Sequence, residues 1–117
     1  MTNKEILTRA LKSLFENYKG TDSEFISLFS KDFIMWANGK LSNFDELVAH
    51  FDELQKTVPN RKIEFIDIVS EGDCVFDEHT VTITLESGGI KIVDVLAKWT
   101  IKDGQITRCS ELTRPRD

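Results

Sequence analysis

The chain has 117 residues, of which 40% are hydrophobic and 30% charged, and its formal net charge is -5. A chain of this length can bury a core without disulfides or metal ions, so we expect one domain over residues 1–117. The acidic balance argues against a nucleic-acid partner, because phosphate binding requires a basic surface. No apolar run approaches the ~20 residues of a membrane span, and no signal-peptide pattern is present, which predicts a cytoplasmic protein without a membrane partner.

The cysteines and histidines of the chain do not form a metal-binding pattern. Cys74 and Cys109 stand alone, without CxxC spacing, and His50 and His79 lie at unpatterned distances from them. A zinc site requires a more regular ligand spacing, so we expect two reduced thiols and no metal ion. The sequence also lacks a glycine-rich loop that could hold phosphates, and we therefore expect no cofactor.

The first part of the chain is predicted to be mainly helical. A Thr-x-x-Glu capping box at residues 2–5 opens a first helix, whose apolar residues recur at helical spacing until Gly20. The same box at residues 21–24 predicts a short second helix. Residues 32–37 are predicted to form a strand that ends at an Asn-Gly turn.

A third helix follows this strand, and the periodicity then changes. Ser42 or Asn43 is expected to cap the helix, and Pro59 is expected to end it because proline lacks the N–H that would continue it. Strands are then predicted in residues 62–70, 74–86, 90–101 and 105–113, with Gly-Asp, Ser-Gly-Gly and Asp-Gly between them. Such turns favour hairpins, because they accommodate positive φ angles. The chain is therefore predicted to be an α+β domain with an antiparallel meander.

Two polar residues share the apolar face of the second strand of this meander. Residues 75–85 alternate strictly, and successive side chains of a strand point to opposite faces. The face that carries Asp77 and His79 is otherwise aliphatic, with Val75, Val81, Ile83 and Leu85. A buried polar group without a partner costs ~1–3 kcal/mol, so this pair must be hydrogen-bonded or line a cavity. The pattern indicates a site; a polar pair satisfied by backbone groups at the end of the sheet is the alternative.

Three local motifs support a family resemblance. They are FSKDFIMW at residues 29–36, NGKLSNFDEL at residues 38–47 and WTIKDGQITR at residues 99–108. With the order of the elements, they resemble the nuclear transport factor 2-like superfamily, which includes SnoaL-like polyketide cyclases and ketosteroid isomerases. The resemblance implies a cone-shaped fold, in which a strongly curved antiparallel sheet wraps around three helices and encloses a pocket. It also implies a homodimer formed through the convex face of the sheet.

The resemblance allows the ketosteroid isomerase mechanism to be tested against this sequence. The two aspartates of that branch fall at Ala37 and Ala97, and its tyrosine falls near Ser13 or Leu14. None of these residues can carry the chemistry, so the chain is predicted not to be a ketosteroid isomerase. The catalytic residues of the SnoaL-like branch are less stereotyped. In that branch an inward acidic residue or histidine moves a proton at an activated carbon, and this chain has candidates for such a residue.

Strand parity, together with the pocket positions of the family, defines the candidate site. The catalytic candidates are His79, Asp77 and Glu111, with His79 or Glu111 as general acid or base and Asp77 orienting the imidazole. The candidate ligand-binding residues are Trp36, Phe51, Val81, Val95, Trp99, Cys109 and Thr113. Alternatively, Glu111 pairs with Arg108 or Arg114 and the tryptophans belong to the core. One β-bulge would also reverse every inward assignment that follows it.

Three functions remain open at this stage. The first is a cofactor-independent cyclase- or isomerase-like catalyst of proton transfer on a hydrophobic small molecule. The second is a non-catalytic carrier or sensor of such a molecule, and the third is a protein-interaction module. An enzyme should bring His79 and a carboxylate within hydrogen-bond reach, whereas a carrier should keep the cavity and saturate its polar groups. An interaction module should have an interior filled by Phe51, Trp99 and their neighbours, and an exposed apolar patch elsewhere.

Further expectations concern the surface. His50 is expected to be a partly exposed residue beside the apolar stripe of the third helix. Asp94 and Lys98 share the face that is expected to be convex, where cross-strand ion pairs are predicted. Residues 114–117 are expected to form a frayed tail.

Overall fold

Three helices and six strands make up the part of the chain that the computed structural model describes, residues 1–58 and 60–116. The helices are α1 (Asn3–Phe15), α2 (Phe25–Leu28) and α3 (Phe44–Thr57). The strands are β1 (Phe29–Ala37), β2 (Lys40–Asn43), β3 (Asn60–Glu71), β4 (Cys74–Thr84), β5 (Ile90–Lys102) and β6 (Gln105–Pro115). The predicted α+β class is confirmed, and Pro59, which was predicted to end α3, lies outside the described residues.

Two of the three helices begin with capping boxes. The N–H of Glu5 donates to Thr2 Oγ1 at 3.1 Å, and the N–H of Thr2 donates to Glu5 Oε1 at 3.1 Å. Asn43 and Glu46 make the same exchange at the start of α3, at 2.9 and 3.2 Å. Each box satisfies N–H groups that a helix start leaves without partners. Asn43, one of the two predicted caps, therefore opens α3.

The capping box predicted at residues 21–24 is wrong. The helix begins at Phe25, and Glu24 before it has a helical conformation without a side-chain cap. The serine of the motif is used differently, because Ser23 Oγ accepts the N–H of Lys19 at 2.5 Å. The N–H of Phe25 donates instead to Ser13 Oγ of α1 at 3.0 Å. A tertiary contact thus replaces the local cap.

The six strands form one mixed sheet in the order β2-β1-β6-β5-β4-β3. The four strands β3 to β6 form the predicted antiparallel meander, and β1 joins it through a parallel pairing with β6. Strand β2, which the sequence did not reveal, pairs with β1 across the Asn38–Gly39 turn. Both turn residues have positive φ, 53° and 85°, as a tight hairpin requires.

Bulges set which side chains face inward. In β3 the pairing with β4 shifts between Phe65 and Asp67, so that Ile66 is exposed while Ile68 faces inward again. Between β5 and β6 the shift occurs at Thr107, which has no counterpart on β5. One residue is thus inserted after the buried Ile106. Such an extra residue changes the inward parity of everything after it.

The sheet has one buried face and one exposed face. Helix α1 packs on β3 and β6, and α3 packs on β1 and β2. The inner, concave face and the helices form the core together, and its largest fully buried side chains include Trp99, Phe25, Phe29, Phe33, Leu7 and Leu11. The outer, convex face remains exposed, and it carries polar residues together with apolar side chains that include Trp36, Val69, Phe76, Leu96 and Leu112. No helix of the described residues is long and apolar enough to cross a membrane.

The C-terminal residues are anchored and do not form the expected frayed tail. Strand β6 continues to Pro115, and the N–H of Arg116 donates to the carbonyl of Ile92 at 2.8 Å. Asp94 accepts hydrogen bonds from Arg116 at 2.7 and 2.9 Å and lies 3.6 Å from the Arg114 guanidinium. The predicted ion pairing of Asp94 is thus confirmed, whereas the structure records none for Lys98 among the described residues. Residue 117 lies outside the described part of the chain.

Candidate functional site

A cavity of about 810 Å³ lies between the concave face of the sheet and helices α1 and α3. This volume falls within the ~300–1,000 Å³ of cavities that take small molecules. Five of the predicted ligand-binding residues line it: Phe51, Val81, Val95, Trp99 and Thr113. Its walls are mainly apolar, and its deep polar groups come from His79 and Glu111. The interior of the fold is therefore open, unlike that expected of a pure interaction module.

A buried hydrogen-bonded chain supports the polar part of this cavity. Nδ1 of His79 lies at hydrogen-bond distance from Asp77 Oδ2, at 2.5 Å, and the indole N–H of Trp99 donates to Asp77 Oδ1 at 2.6 Å. The side chains of His79 and Asp77 are only 3% and 0% exposed. Both carboxylate oxygens of Asp77 thus have a partner, and both partners are side chains. The alternative interpretation from the sequence, a polar pair satisfied by backbone groups at the end of the sheet, expected backbone partners instead.

The imidazole of His79 has a fixed position. Its ring lies between Phe65, at 5.8 Å between ring centroids, and Phe15, at 6.4 Å. An ionised carboxylate only accepts hydrogen bonds, so the nitrogen facing Asp77 must carry a proton. The other nitrogen, Nε2, makes no hydrogen bond with a described residue. Every fully buried side-chain nitrogen or oxygen of the described residues has a partner, so Nε2 is not fully buried. Nε2 therefore opens onto the cavity that His79 lines.

Glu111 projects into the same cavity from β6. Its cross-strand neighbours are Ala37 and Ala97, whose small side chains leave space around its carboxyl group. Burial raises the pKa of Glu111; the charge of His79 opposes this rise, and the charge of Asp77 adds to it. The thiol of Cys109 contacts Glu111 Oε1 at 3.8 Å. A carboxyl group in this setting holds its proton to higher pH than an exposed glutamate does.

The alternative partners proposed for Glu111 lie elsewhere. Arg108 and Arg114 belong to the opposite face of β6, and both are exposed. Arg114 approaches Asp94 on that convex face. The bulge at Thr107 precedes Glu111, so Glu111 lies on the same inward face as the buried Cys109.

Two predicted ligand-binding residues do not line the cavity. Trp36 is 44% exposed on the outer side of β1, because the alternation of that strand turns Met35 and Ala37 inward instead. Cys109 has the predicted inward orientation but is only 2% exposed and lies beneath the cavity surface. Burial, followed by the charges of Glu111 and Asp77, raises the pKa of the Cys109 thiol. The thiol is thus kept protonated and unreactive.

The mouth of the cavity carries polar residues that the sequence analysis missed. Lys40 and Ser42 line it from β2, and Glu46 and His50 line it from α3. Lys40 and Ser42 were missed because strand β2 itself was not predicted. Glu46 and His50 could have been found, since their i, i+4 spacing indicates that they share one face of a helix. The side chain of His50 is exposed on one side and covered on the other. This partial burial, followed by the charges of Lys40 and Arg61, lowers the pKa of His50.

Helix α3 is held over the cavity at its C-terminal half. Tyr18 donates a hydrogen bond to the carboxylate of Asp52, and both burial and this carboxylate raise the pKa of the phenol. Arg61 donates to the carbonyls of Phe15 and Val58, each at 3.2 Å, and so links the ends of α1 and α3. These contacts fix the distance between the two helices that cover the cavity.

The described residues contain no group of three or more His, Cys, Asp or Glu side chains positioned to hold a metal ion. The chemistry that the cavity can support from its own side chains is acid–base chemistry. The free Nε2 of His79 can accept a proton, and the carboxyl group of Glu111, whose pKa burial raises, can donate one.

Comparison with solved structures identifies several proteins that share this fold. No curated protein matches this chain. AclR, a proposed hydroxylase from Streptomyces galilaeus, has a TM-score of 0.81 at 16% identity, covering 95% of this chain and 77% of its own. IdmH, a proposed polyketide cyclase from Streptomyces antibioticus, has a TM-score of 0.73 at 17% identity, covering 91% and 90%. TerC, co-crystallised with polyporic acid, has a TM-score of 0.74 at 16% identity, covering 96% and 91%.

At these identities the likeness to solved structures shows a common fold and leaves the reaction open. The SnoaL-like domain family, in contrast, matches the sequence itself over residues 11–109. This match runs from α1 to Cys109 in β6 and so includes most of the chain. The chain therefore belongs to the SnoaL-like domain family.

Proposed function

We propose that this SnoaL-type pocket protein is a cofactor-independent acid–base catalyst, which moves a proton at an activated carbon of a hydrophobic small molecule. The observation that carries the proposal is the meeting of two unlike proton-transfer groups in one apolar cavity. His79 presents an unpaired Nε2 there, and Glu111 presents a carboxyl group with a raised pKa. Groups whose environments separate their protonation states in this way are typical of acid–base sites.

In the proposed reaction, His79 acts as the base. Its Nε2 removes a proton from a carbon next to a carbonyl group, and the electron pair of the broken C–H bond forms the enolate. The Glu111 carboxyl group donates its proton, or a hydrogen bond, to the developing enolate oxygen. Asp77 orients the imidazole and stabilises the imidazolium that forms. The imidazolium then returns its proton to a carbon, and the enol oxygen returns to Glu111 any proton that it has taken, which regenerates the site.

The substrate class follows from the cavity. Its apolar walls favour a hydrophobic molecule, and its volume suits one of drug-like size. A carbonyl group is required to make the carbon acidic and to accept from Glu111. The proposed cyclase IdmH and the polyporic acid complex of TerC support a substrate of this carbonyl-containing, hydrophobic type.

A carrier or sensor remains the second candidate function. The saturation of both Asp77 oxygens favours it, because a carrier gains from polar groups that are already paired. The free Nε2 of His79 and the raised pKa of Glu111 argue for catalysis instead, since a carrier for hydrophobic molecules gains nothing from two unlike proton-transfer groups. The two functions are therefore distinguished by turnover.

The test uses deuterium incorporation from D₂O into the α-carbons of a panel of hydrophobic enolisable ketones. We expect exchange above the buffer rate with the wild-type protein and a return to the buffer rate with the double variant His79→Gln, Glu111→Gln. Mass spectrometry under native conditions would show whether a small molecule stays bound to the purified protein. If a small molecule stays bound but none of the ketones exchanges deuterium, the result would favour the carrier. If the double variant exchanges deuterium as fast as the wild type, His79 and Glu111 are excluded as the catalytic residues.

We also propose that the protein forms a homodimer through the convex face of the sheet. Three side chains form an apolar patch there, which we call the convex patch: Phe76, Leu96 and Leu112, which are 54%, 60% and 67% exposed. Leu96 and Leu112 are directly opposite each other on β5 and β6. A contiguous exposed apolar patch of this kind is typical of an association surface.

Sedimentation analysis tests this association. We expect the wild-type chain of 13.4 kDa to sediment with twice that mass and the Leu96→Asp variant to sediment as a monomer, because a carboxylate in the interface would be desolvated. Ile90→Asp is the matched control, since Ile90 is 65% exposed but lies at the hairpin end of β5. A monomeric wild type, or a dimeric Leu96→Asp variant, would contradict the proposed interface.

A further inference from the structure

We infer that Trp99 is a positioning residue, which fixes the Asp77 carboxylate and thereby selects the tautomer of His79 that leaves Nε2 free to accept a proton. This inference deepens the proposed function and rests on it for its catalytic meaning. The hydrogen-bonded arrangement itself can be tested without turnover. Three buried side chains carry it: Trp99, Asp77 and His79.

The Asp77 carboxylate is held at both ends. Oδ1 accepts the indole N–H at 2.6 Å, and Oδ2 accepts the His79 Nδ1–H at 2.5 Å. Because the Asp77 side chain is fully buried, no water replaces either donor if the carboxylate turns. A rotation about the Cβ–Cγ bond would therefore break both bonds and leave the indole N–H without a partner, which is costly in a buried site.

The sheet register brings the indole to this carboxylate. Asp77 lies directly opposite Ala97, so Trp99 is its diagonal neighbour on the concave face. Ala97 is small enough for the indole to extend past it towards Asp77. A larger residue at position 97 would occupy the space through which the indole N–H reaches the carboxylate.

Aromatic packing keeps the indole in place. Trp99 is only 2% exposed and makes an edge-to-face contact with Phe29, with 6.5 Å between ring centroids. Phe29 in turn packs edge-to-face on Phe33 at 4.9 Å and on Phe25 at 5.9 Å. The donor thus belongs to a group of buried, mutually packed aromatic side chains, and its position does not depend on a mobile side chain.

The consequence for His79 concerns which nitrogen carries the proton. A neutral imidazole has one N–H, and its tautomer is set by the hydrogen bond of the other nitrogen. A carboxylate fixed beside Nδ1 holds the proton on that nitrogen and leaves the lone pair on Nε2, towards the cavity. Without the indole N–H, Asp77 can turn away from Nδ1, and the preference between the two tautomers weakens.

Long-range ¹H–¹⁵N correlation spectra of the histidine rings measure this preference directly. The chain has two histidines, so a His50→Gln variant assigns the signals of His79. For neutral His79 in the wild type we expect the proton on Nδ1. In Trp99→Phe we expect the ratio of the Nε2–H to the Nδ1–H tautomer to rise by about tenfold, as for loss of one hydrogen bond to a charged group.

Two further variants separate the hydrogen bond from packing. Trp36→Phe makes the same chemical change on the outer side of β1 and should leave the His79 tautomer unchanged. In that background Trp99 becomes the single tryptophan and can be replaced by 3-benzothienylalanine, which keeps the bicyclic shape but lacks the N–H. We expect this replacement to preserve the fold, as judged by thermal unfolding, and to reproduce the tautomer shift even if Trp99→Phe fails to fold.

An unchanged tautomer ratio in the folded benzothienyl protein would overturn the inference and leave the proposed roles of His79 and Glu111 intact. Conversely, failure of every ketone to exchange deuterium would remove the proposed function, while a tautomer shift would still show that Trp99 positions Asp77. The two results are therefore independent. When exchange occurs, the benzothienyl protein should lower its rate chiefly through kcat, because the indole N–H acts on the base and not on the cavity surface.

Discussion

Replacing Asp77 by asparagine is expected to slow proton exchange at the substrate carbon by ~10²–10⁴-fold, the usual contribution of a positioned general base. Asparagine has the same shape as aspartate, so it fits between Trp99 and His79. Its carbonyl oxygen is expected to accept the indole N–H, which turns its NH₂ group towards His79. An NH₂ group only donates, and the facing Nδ1 must then carry the lone pair. The proton of His79 moves to Nε2, where it blocks the base.

Two measurements check this prediction together. The exchange rate of an active ketone should fall, and the histidine ring spectrum should change from the Nδ1–H to the Nε2–H tautomer. Glu78→Gln is the matched control, because it makes the same change from carboxylate to amide at the neighbouring residue on the exposed face of β4. An Asp77→Asn protein that is folded, carries the Nε2–H tautomer and still exchanges at the wild-type rate would exclude His79 as the base.

Replacing Glu111 by glutamine is expected to lower the exchange rate by ~10²-fold or more and, at the same time, to stabilise the fold. Glutamine keeps the shape of the side chain but cannot transfer a proton. Burial raises the pKa of Glu111, so this carboxyl group binds its proton more tightly in the folded than in the unfolded chain. Its ionisation therefore costs stability as pH rises from the ordinary value of 4.5 towards the raised folded value, and above that value the cost is fully present.

Urea unfolding at a series of pH values provides the measurement. The variant should equal the wild type in acid, below pH 4.5, and should exceed it by about 1 kcal/mol at higher pH, where the wild type holds an ionised carboxylate in the cavity. Other titrating groups are common to both proteins and cancel in the difference. Glu64→Gln, on the exposed face of β3, should show no such pH-dependent gain. A variant that loses stability as pH rises would mean that Glu111 is stabilised as an anion.

The opposite effects of Glu111→Gln on rate and stability would also separate a catalytic from a structural role. A carboxyl group that only supports the fold should lower both when it is replaced. A buried acid retained for its chemistry is expected to cost stability, because evolution keeps unfavourable groups where they are used.

Much of the architecture could be predicted from local patterns. The capping box at Thr2 and the stripe of α1 are consequences of side chains within a few residues of each other. The alternation in β4 correctly placed Asp77 and His79 on the buried face, because the period of a strand is a property of its backbone. The inward orientation of Glu111, in contrast, came from the family resemblance, since the bulge at Thr107 intervenes and no local pattern revealed it.

The parts that were missed depend on contacts between distant residues. The alternation of β1 places Trp36 on the face opposite Met35 and Ala37, but only the packing of α3 on β1 decides which face lines the cavity. That face carries Met35 and Ala37, so Trp36 was assigned to the wrong side. Strand β2 is only four residues long and forms because β1 offers it a hairpin partner. Lys40 and Ser42 reach the cavity mouth through that pairing, so neither could be located before the strand was known.

By itself, the sequence determined the class of the fold, the inward face of β4 and the absence of an aspartate at Ala37 and Ala97. Only the tertiary structure decided what the buried polar residues contact. Trp99 follows Asp77 by twenty-two residues and meets it through the register of β4 and β5, which places the indole diagonally across Ala97. Register and bulges are set by the pairing of whole strands, and a hydrogen bond between side chains on two strands exists only once that pairing is formed.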